Sequence, residues 1–568
     1  MKKFSNITTR NELADYLEIP RKDLAHILYK QKVDSYYISF DIPKKNGGIR
    51  HIHAPISDLK IIQKKLSEAL WEHQETIWAE KGINPNISHA FEKGKSIISN
   101  AKIHRNKRLL LNVDLENFFD SFHFGRVRGY FNKNNDFQLP IEVATVIAQL
   151  SCYNGSLPQG APSSPIITNY ICQIFDFRVL AIAKRFKLDY TRYADDLTFS
   201  TNNRAFIDTQ EDFHRELTKI IESAGFRINK DKTRLQYKDS KQEVTGLVVN
   251  KKLSVDREYC RKTKAMAFNL YKQGDFTIND EEGSIKQLEG RFSFINQLDR
   301  YNNKLENSDR CNSKTLNGRE KQYQKFLFYK YFYSNDKPLI ITEGKTDIAY
   351  LKSALKKFHS DYPSLITKIT NNEHKFHVSF LKRSDRLKYF LNIAIDGADT
   401  MQNIYNYFSS NKSHRKRNEW NFPDYLSYFN DVSGGQPKQP IVLVFDNELE
   451  NNKKPLKKFV NHAKLNEEMK DELAKNLCIK LADNGNLFLM TNNLVDDKKE
   501  CELEDLFDKE TLDHKIGIKT FSREDGFDED KHYGKAIFSE YISNNYNSIN
   551  FEGFRNILNI VNSIVESY

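Results

Sequence analysis

The sequence predicts a multidomain chain, α+β in its first three-fifths and α/β with a mainly parallel sheet in the remainder. Three observations carry this. The chain has 568 residues, more than one hydrophobic core usually serves, so several domains are expected. Acidic residues stand at the ends of apolar, strand-like runs in both parts: Asp114 after Leu109–Val113, and Asp446-Asn447-Glu448 after Pro440–Phe445. The charge divides too: residues 1–336 hold 54 Lys and Arg against 41 Asp and Glu, a net of +13, whereas the remainder nets −2.

A composition with 39% hydrophobic and 12% aromatic residues suits folded rather than disordered domains. The basic excess fits a polyanion partner such as nucleic acid, and also fits plain solubility. No run reaches the apolar length of a membrane span and MKKFSNITTR lacks a signal-peptide core, so no membrane partner and a cytoplasmic location are expected. The cysteines, at 152, 172, 260, 311, 478 and 501, have no CxxC or metal-finger spacing and are expected as reduced thiols.

In chain order, residues 8–30 read as two short amphipathic helices, with Thr9 and Glu12 at capping-box spacing. Residues 36–55 read as a hairpin around Lys44-Lys45-Asn46-Gly47-Gly48 with Arg50 on its second strand, and 58–80 as an amphipathic helix. Residues 155–170 join a Pro/Gly-rich loop to a helix, and Gly160 would let a nucleotide or a nucleic-acid strand approach the backbone. Residues 188–199 alternate about Tyr193-Ala194-Asp195-Asp196, as two strands meeting in a tight turn with both carboxylates at its tip. Adjacent carboxylates repel, and Mg²⁺, a hard cation that prefers oxygen, compensates them well. A helix ending at Gly225, strands over FRINKDKTRLQY and VTGLVVN, and basic helices with interleaved aromatics over 256–330 complete the first part. Each segment alone fits an ordinary turn, cap or loop.

Together, in this order, Asp114, Leu157-Pro158-Gln159-Gly160, Tyr193–Asp196 and GFRINKDKT (225–233) resemble a reverse transcriptase. Asn100-Ala101-Lys102-Ile103-His104 and Val244-Thr245-Gly246 resemble the NAxxH and VTG marks of bacterial retron reverse transcriptases. The resemblance implies a right-hand polymerase, with N-terminal helices and fingers over 1–108, palm with finger elements over 109–250, and helical thumb and linker over 251–336. It implies two Mg²⁺ held by Asp114, Asp195 and Asp196, assisted by the Leu115 carbonyl. Phe119 would lie under the sugar and exclude a 2′-hydroxyl, Gln159 and Gly160 would position template and incoming base beside Tyr193, Lys45 and Arg50 would hold the triphosphate, and Lys232 would protonate the leaving pyrophosphate. The implied partners are dNTPs, the protein's own structured non-coding RNA (msr-msd) and a branched RNA–DNA product, msDNA.

After Asp336 the pattern changes. Lys337–Thr342 reads as a buried strand followed by Glu343-Gly344 and a helix over 348–358; Pro440–Phe445 leads to Asp446 and Glu448. Acids at the carboxyl ends of parallel strands describe a metal site. This arrangement resembles a TOPRIM domain, expected over 337–568 with a C-terminal helical extension, departing at Glu448 where aspartate is usual. The resemblance implies one or two Mg²⁺ held by Glu343, Asp446 and Glu448, with Glu343 as metal ligand or general acid/base. Glu504, in Glu502–Phe507, and Lys535 are further candidates toward a nuclease acting on RNA or DNA. A polymerase fused to such a nuclease resembles retrons of anti-phage defence, toxin–antitoxin-like in logic, in which a homo-oligomer with msDNA is possible. The alternative is a non-catalytic oligomerisation or RNA-docking module. Residues 411–438 are expected as an insertion or mobile loop.

Overall fold

A computed structural model describes residues 3–44, 47–82, 86–305, 315–370, 373–394, 399–409, 416–417, 420–481, 485–496, 498–524 and 526–568. The chain forms two compact units, residues 1–256 and 257–568.

The first unit begins with helices Arg10–Tyr16 and Arg21–Ala25. Thr9 caps the first by accepting the Glu12 N–H at 3.2 Å, while the Glu12 carboxylate returns to the Thr8 N–H at 2.7 Å. The expected reciprocal box is therefore shifted back by one residue. Strands β1 (Tyr37–Pro43) and β2 (Ile49–Pro55) form an antiparallel hairpin that pairs Ile42 with Arg50. The unit centres on an antiparallel sheet of β3 (Leu109–Leu115), β4 (Asp189–Tyr193), β5 (Asp196–Thr201) and β6 (Ile228–Tyr237), ordered β4-β5-β3-β6. Every residue of β3 except Asn112 is buried.

Helix Ser164–Arg185 packs behind this sheet. It is long and apolar enough to cross a membrane, contrary to expectation from the sequence, yet 67% of its most apolar window is buried within the protein. Asn169, Cys172 and Asp176 recur on its buried side at helical spacing, which is why a polar pair interrupts the apolar run.

Two register features aim side chains. Ala194 adopts φ 56°, so β4 turns into β5 through a left-handed non-glycine residue. Between β3 and β6 the register slips: Asn112 faces Arg234 but Asp114 faces Asn229, so residues 230–233 bulge out and carry Lys232 with them.

The second unit is built on a five-stranded sheet of β7 (Leu339–Thr342), β8 (Ser379–Phe380), β9 (Ile441–Phe445), β10 (Cys478–Lys480) and β11 (Leu487–Thr491), ordered β8-β7-β9-β11-β10. All neighbours are parallel except β10 with β11. Continuous apolar runs serve both faces. Leu339, Ile341, Ile441, Leu443 and Phe445 enter one core, Ile340, Val442 and Val444 the other.

The first of these cores also takes Leu270, Tyr271, Phe292, Tyr323 and Phe328 from helices Arg257–Gln273, Ile285–Leu305 and Gly318–Phe328. The helical segment expected to end at 336 thus packs as a layer of the second unit, because its aromatic stripe covers one sheet face. Helices Lys345–Lys357, Lys535–Asn544 and Arg555–Ser567 cover the other face. Within the expected loop 411–438, Tyr425–Ser433 is a helix whose Tyr425, Leu426 and Phe429 are buried, a correction. The Gly/Pro-rich flanks conceal this short apolar stretch in the sequence.

Candidate active site

In the first unit, β3 delivers Asp114 directly opposite Asp196 of β5, and the Leu115 N–H donates to the Asp195 carbonyl at 3.0 Å. Facing residues of an antiparallel pair lie roughly 5 Å apart at Cα, so Asp114, distant in sequence, joins the adjacent Asp195 and Asp196 at one end of these paired strands. A cleft of about 440 Å³ is lined by Arg50, Asp114, Asp195, Asp196, Lys232 and Arg234, among others. An adjoining cleft of about 520 Å³ adds Lys44, Leu115, Phe118 and Gln159 to the shared Arg50, Asp114, Asp195 and Lys232.

The electrostatics of the cluster are those of acids awaiting a cation. Burial first, then Asp195 and Asp114, pushes the Asp196 carboxyl up to about 7. Burial also raises Asp195, with Asp114 adding to it and Lys232 and Arg50 opposing. The Lys232 ammonium lies 3.1 and 3.2 Å from the two Asp114 oxygens, so Asp114 is paired with a positive charge. Among the described residues no group of three acidic, histidine or cysteine side chains closes as tightly as a bound ion would draw it. An all-oxygen donor set at a cleft edge fits a hard divalent cation such as Mg²⁺.

Gln159 lines the cleft, and its carbonyl accepts the His53 N–H at 2.8 Å. Gly160 holds φ +114°, and a Cβ there would stand 2.8 Å from Ile52 Cγ2 and 3.0 Å from the His53 carbonyl oxygen. What presses on Gly160 is thus the chain's own β2. Phe118 rather than Phe119 is among the lining residues of the larger cleft, while Phe119 packs beside Phe118 and Phe91. Tyr193 pairs with Asp196 at the turn and is half-buried. Lys45 lies outside the described residues.

The Asn100–His104 stretch is a bolt. Buried His104 meets Ser200 Oγ through Nδ1 and Thr191 Oγ1 through Nε2, each at 2.7 Å, and Thr191 Oγ1 donates to Asn100 Oδ1 at 2.5 Å. It ties both strands of the acidic hairpin to the segment before β3. Thr245 and Gly246, at φ 47° and 81°, make a two-residue turn that lines the smaller cleft.

In the second unit, Glu343 follows β7 and Asp446 follows β9, neighbouring parallel strands. Burial, then Glu448 and Asp347, pushes Glu343 up to about 7, and its Oε2 is a buried atom without a hydrogen-bond partner. Burial, then Asp347, Glu343, Glu504 and Glu502, raises Asp446 well above the usual carboxylate range. Asp446 Oδ1 accepts the Leu503 N–H at 2.9 Å, which brings the Glu502–Phe507 stretch to the cluster. Lys454 lies 2.7 Å from Glu448, and Lys535 lies 3.0 Å from Glu502 and 3.2 Å from Glu504. Glu343, Asp446, Glu448, Glu504 and Lys535 therefore gather in one neighbourhood.

The sequence did not single out Asp347 or Glu502. Asp347 is buried and accepts the Gly344 N–H at 2.7 Å, so its helix-cap spacing after Glu343-Gly344 was the available signal. In the first unit, Arg192, Asp176 and Asn169 were likewise missed.

A family model described as reverse transcriptase (RNA-dependent DNA polymerase) matches residues 42–250, which contain every described first-unit residue discussed as a site. The chain is 32% identical over 328 residues to the retron Mx162 reverse transcriptase of Myxococcus xanthus, covering 52% of this chain and 65% of that protein. It is 30% identical over 278 residues to the retron Mx65 reverse transcriptase of the same organism, covering 46% of this chain and 61% of that protein. The chain thus spans less than two thirds of the length of either. It is 33% identical over 269 residues to the retron Ec86 reverse transcriptase of Escherichia coli, covering 47% of this chain and 78% of that protein.

Proposed function

Because the chain belongs to the retron reverse transcriptase family, we propose that it is an RNA-directed DNA polymerase that copies its own structured non-coding RNA into branched msDNA. The observation that carries this is the placement of Asp114 opposite Asp196, with Asp195 at the adjoining turn, on one cleft. Asp114, Asp195 and Asp196, with the Leu115 carbonyl, would hold two Mg²⁺. Bound there, the ions supply charge stabilisation at the attacking hydroxyl, the α-phosphate and the leaving oxygen.

The chain's own groups do the rest. Arg50, beside Lys44 on the larger cleft, would hold the polyphosphate, Gln159 would position the incoming base, and Phe119 would limit space at the sugar. Lys232, released from Asp114 as cations and nucleotide enter, is placed to give its proton to departing pyrophosphate. The first test is incorporation of dNTPs on an RNA template by the full chain. A branched RNA–DNA molecule co-purifying with it would identify the product, and recovery of unbranched RNA alone would contradict the msDNA assignment.

For the second unit, the proposal is a TOPRIM-type Mg²⁺-dependent nuclease, restrained by the polymerase and its msDNA in the cytoplasm until phage infection disturbs the complex. Glu343 and Asp446 at the ends of adjacent parallel strands, both raised by burial and mutual repulsion, support a metal site there. The Lys454–Glu448 pair favours a second reading, a non-catalytic oligomerisation or RNA-docking module in which a lysine replaces the ion. Glu343→Ala separates the two: the nuclease proposal requires loss of triggered RNA or DNA degradation, and degradation that survives overturns it.

A further inference from the structure

Arg192 is fully buried one residue before Tyr193, an expensive place for a guanidinium. It belongs to β4, whose edge is covered by residues 87–89: the Arg192 N–H donates to the Ile87 carbonyl and the His89 N–H to the Arg192 carbonyl, each at 2.8 Å. Its charge is met by Asp176 from helix Ser164–Arg185, which accepts Nε and Nη2 at 2.8 Å each. Tyr190 donates a third bond to Asp176 Oδ1 at 3.0 Å. Nη2 also reaches Asn169 Oδ1 at 3.2 Å, and Asn169 is itself fixed by Ser88 at 3.1 Å and by the Ala90 carbonyl at 3.0 Å.

One donor remains. Nη1 points to the carbonyl oxygen of Ala194 at 3.3 Å. Ala194 is the left-handed residue of the turn, and it immediately precedes Asp195. A positive φ at alanine costs of order 1 kcal/mol, so the turn needs outside restraint to hold it. A planar guanidinium whose other edge is locked in a fork by Asp176 supplies a donor of fixed direction, which a lysine cannot.

We propose that Arg192, held by Asp176 and Asn169, is a positioning residue for the polymerase reaction: it fixes the Ala194 peptide and thereby the placement of the Asp195 and Asp196 carboxylates. This rests on the polymerase assignment. The group touches neither substrate nor metal; it acts through the backbone of the turn. Its loss lets the turn relax, so the acids must be gathered by the incoming cations at each turnover.

The test compares the full chain with Arg192→Lys, and with a triple variant, Arg192→Met with Asp176→Leu and Tyr190→Phe, which replaces the buried ion pair and its tyrosine by apolar groups and leaves Asn169 with its Ser88 and Ala90 bonds. Apolar replacement of a buried ion pair often preserves or raises stability, so the triple variant isolates the loss of the turn donor from loss of the fold. Both variants are expected to show kcat for RNA-templated synthesis reduced ten- to a hundredfold, dNTP KM within about twofold of the unmutated chain, and a several-fold higher Mg²⁺ concentration at half-maximal rate. A purely structural Arg192 would instead lower the melting temperature while leaving kcat and Mg²⁺ dependence of the folded fraction unchanged, and that result overturns the proposal. So does a triple variant with full kcat. Absence of DNA synthesis by the unmutated chain would strike the polymerase assignment itself, which distinguishes the two failures.

Discussion

Gly160→Ala puts the polymerase cleft under a defined strain. At φ +114° an L-residue is strained by about 1–3 kcal/mol. The new methyl would also stand 2.8 Å from Ile52 Cγ2 and 3.0 Å from the His53 carbonyl oxygen. The Ile52 methyl can rotate away, but the His53 carbonyl is backbone of a paired strand, so the loop must retreat by a few tenths of an ångström. That retreat stretches the 2.8 Å bond from the His53 N–H to the Gln159 carbonyl and shifts Gln159 along the cleft wall. We expect a stability loss of about 2 kcal/mol, read as a melting temperature lower by roughly 4–8 °C. The dNTP KM should rise about tenfold, corresponding to about 1.4 kcal/mol of lost positioning. Gly155→Ala is the control: Gly155 has φ +85° but nothing within 4 Å of its added Cβ. It should lower the melting temperature and leave KM unchanged. If Gly160→Ala melts early yet keeps the KM of the unmutated chain, the link from Gly160 through Gln159 to nucleotide positioning is refuted.

Three further outcomes follow from the same geometry. Burial pushes His104 down to about 3, while the unfolded chain restores about 6.5, so its contribution is complete above pH 6.5 and is lost as pH falls toward 3, by up to about 1.4 kcal/mol per pH unit. His104→Gln should flatten that slope in melting curves, and a slope unchanged by the substitution would contradict it. Lys454→Met leaves the 3%-exposed Glu448 without its ammonium; the loss should be about 2 kcal/mol, below the range for a fully buried pair because Lys454 is half in solvent. Mg²⁺ should restore part of it by calorimetry, and no response to Mg²⁺ would count against a metal site. Lys232→Met removes the ammonium on Asp114, so Mg²⁺ binding without nucleotide should tighten about tenfold in titration calorimetry, near the 1.4 kcal/mol expected for one displaced charge contact; unchanged affinity would show that Lys232 does not compete.

Much of this was legible in the residues. The run Leu109–Val113 read as a buried strand from its apolar residues, and pairing with the strand after the Asp195-Asp196 turn brings the acid at its exit opposite Asp196. The alternation of Leu188, Tyr190, Leu197 and Phe199 fixed that turn's register. In the second unit the runs at 338–342 and 440–445 announced a parallel sheet because they have no polar alternation. Other features depend on contacts that sequence patterns do not encode. Arg192 and Asp176 are 16 positions apart on different elements, and a charged residue in a strand is ordinarily read as facing solvent. The bulge that brings Lys232 to Asp114 comes from a register slip. The helical stripe of Leu270, Tyr271 and Phe292 fits a free-standing bundle as well as a layer on a sheet, and only packing decides between them.

The central claim is that Asp114, Asp195 and Asp196 form one Mg²⁺-dependent nucleotidyl-transfer site. Its most direct test is RNA-templated DNA synthesis by the full chain beside Asp195→Asn/Asp196→Asn, which keeps the shape of the turn and removes its charge. The account predicts synthesis by the unmutated chain that requires Mg²⁺ and falls about a thousandfold or more in the variant. Synthesis at the unmutated rate by a folded variant would contradict it.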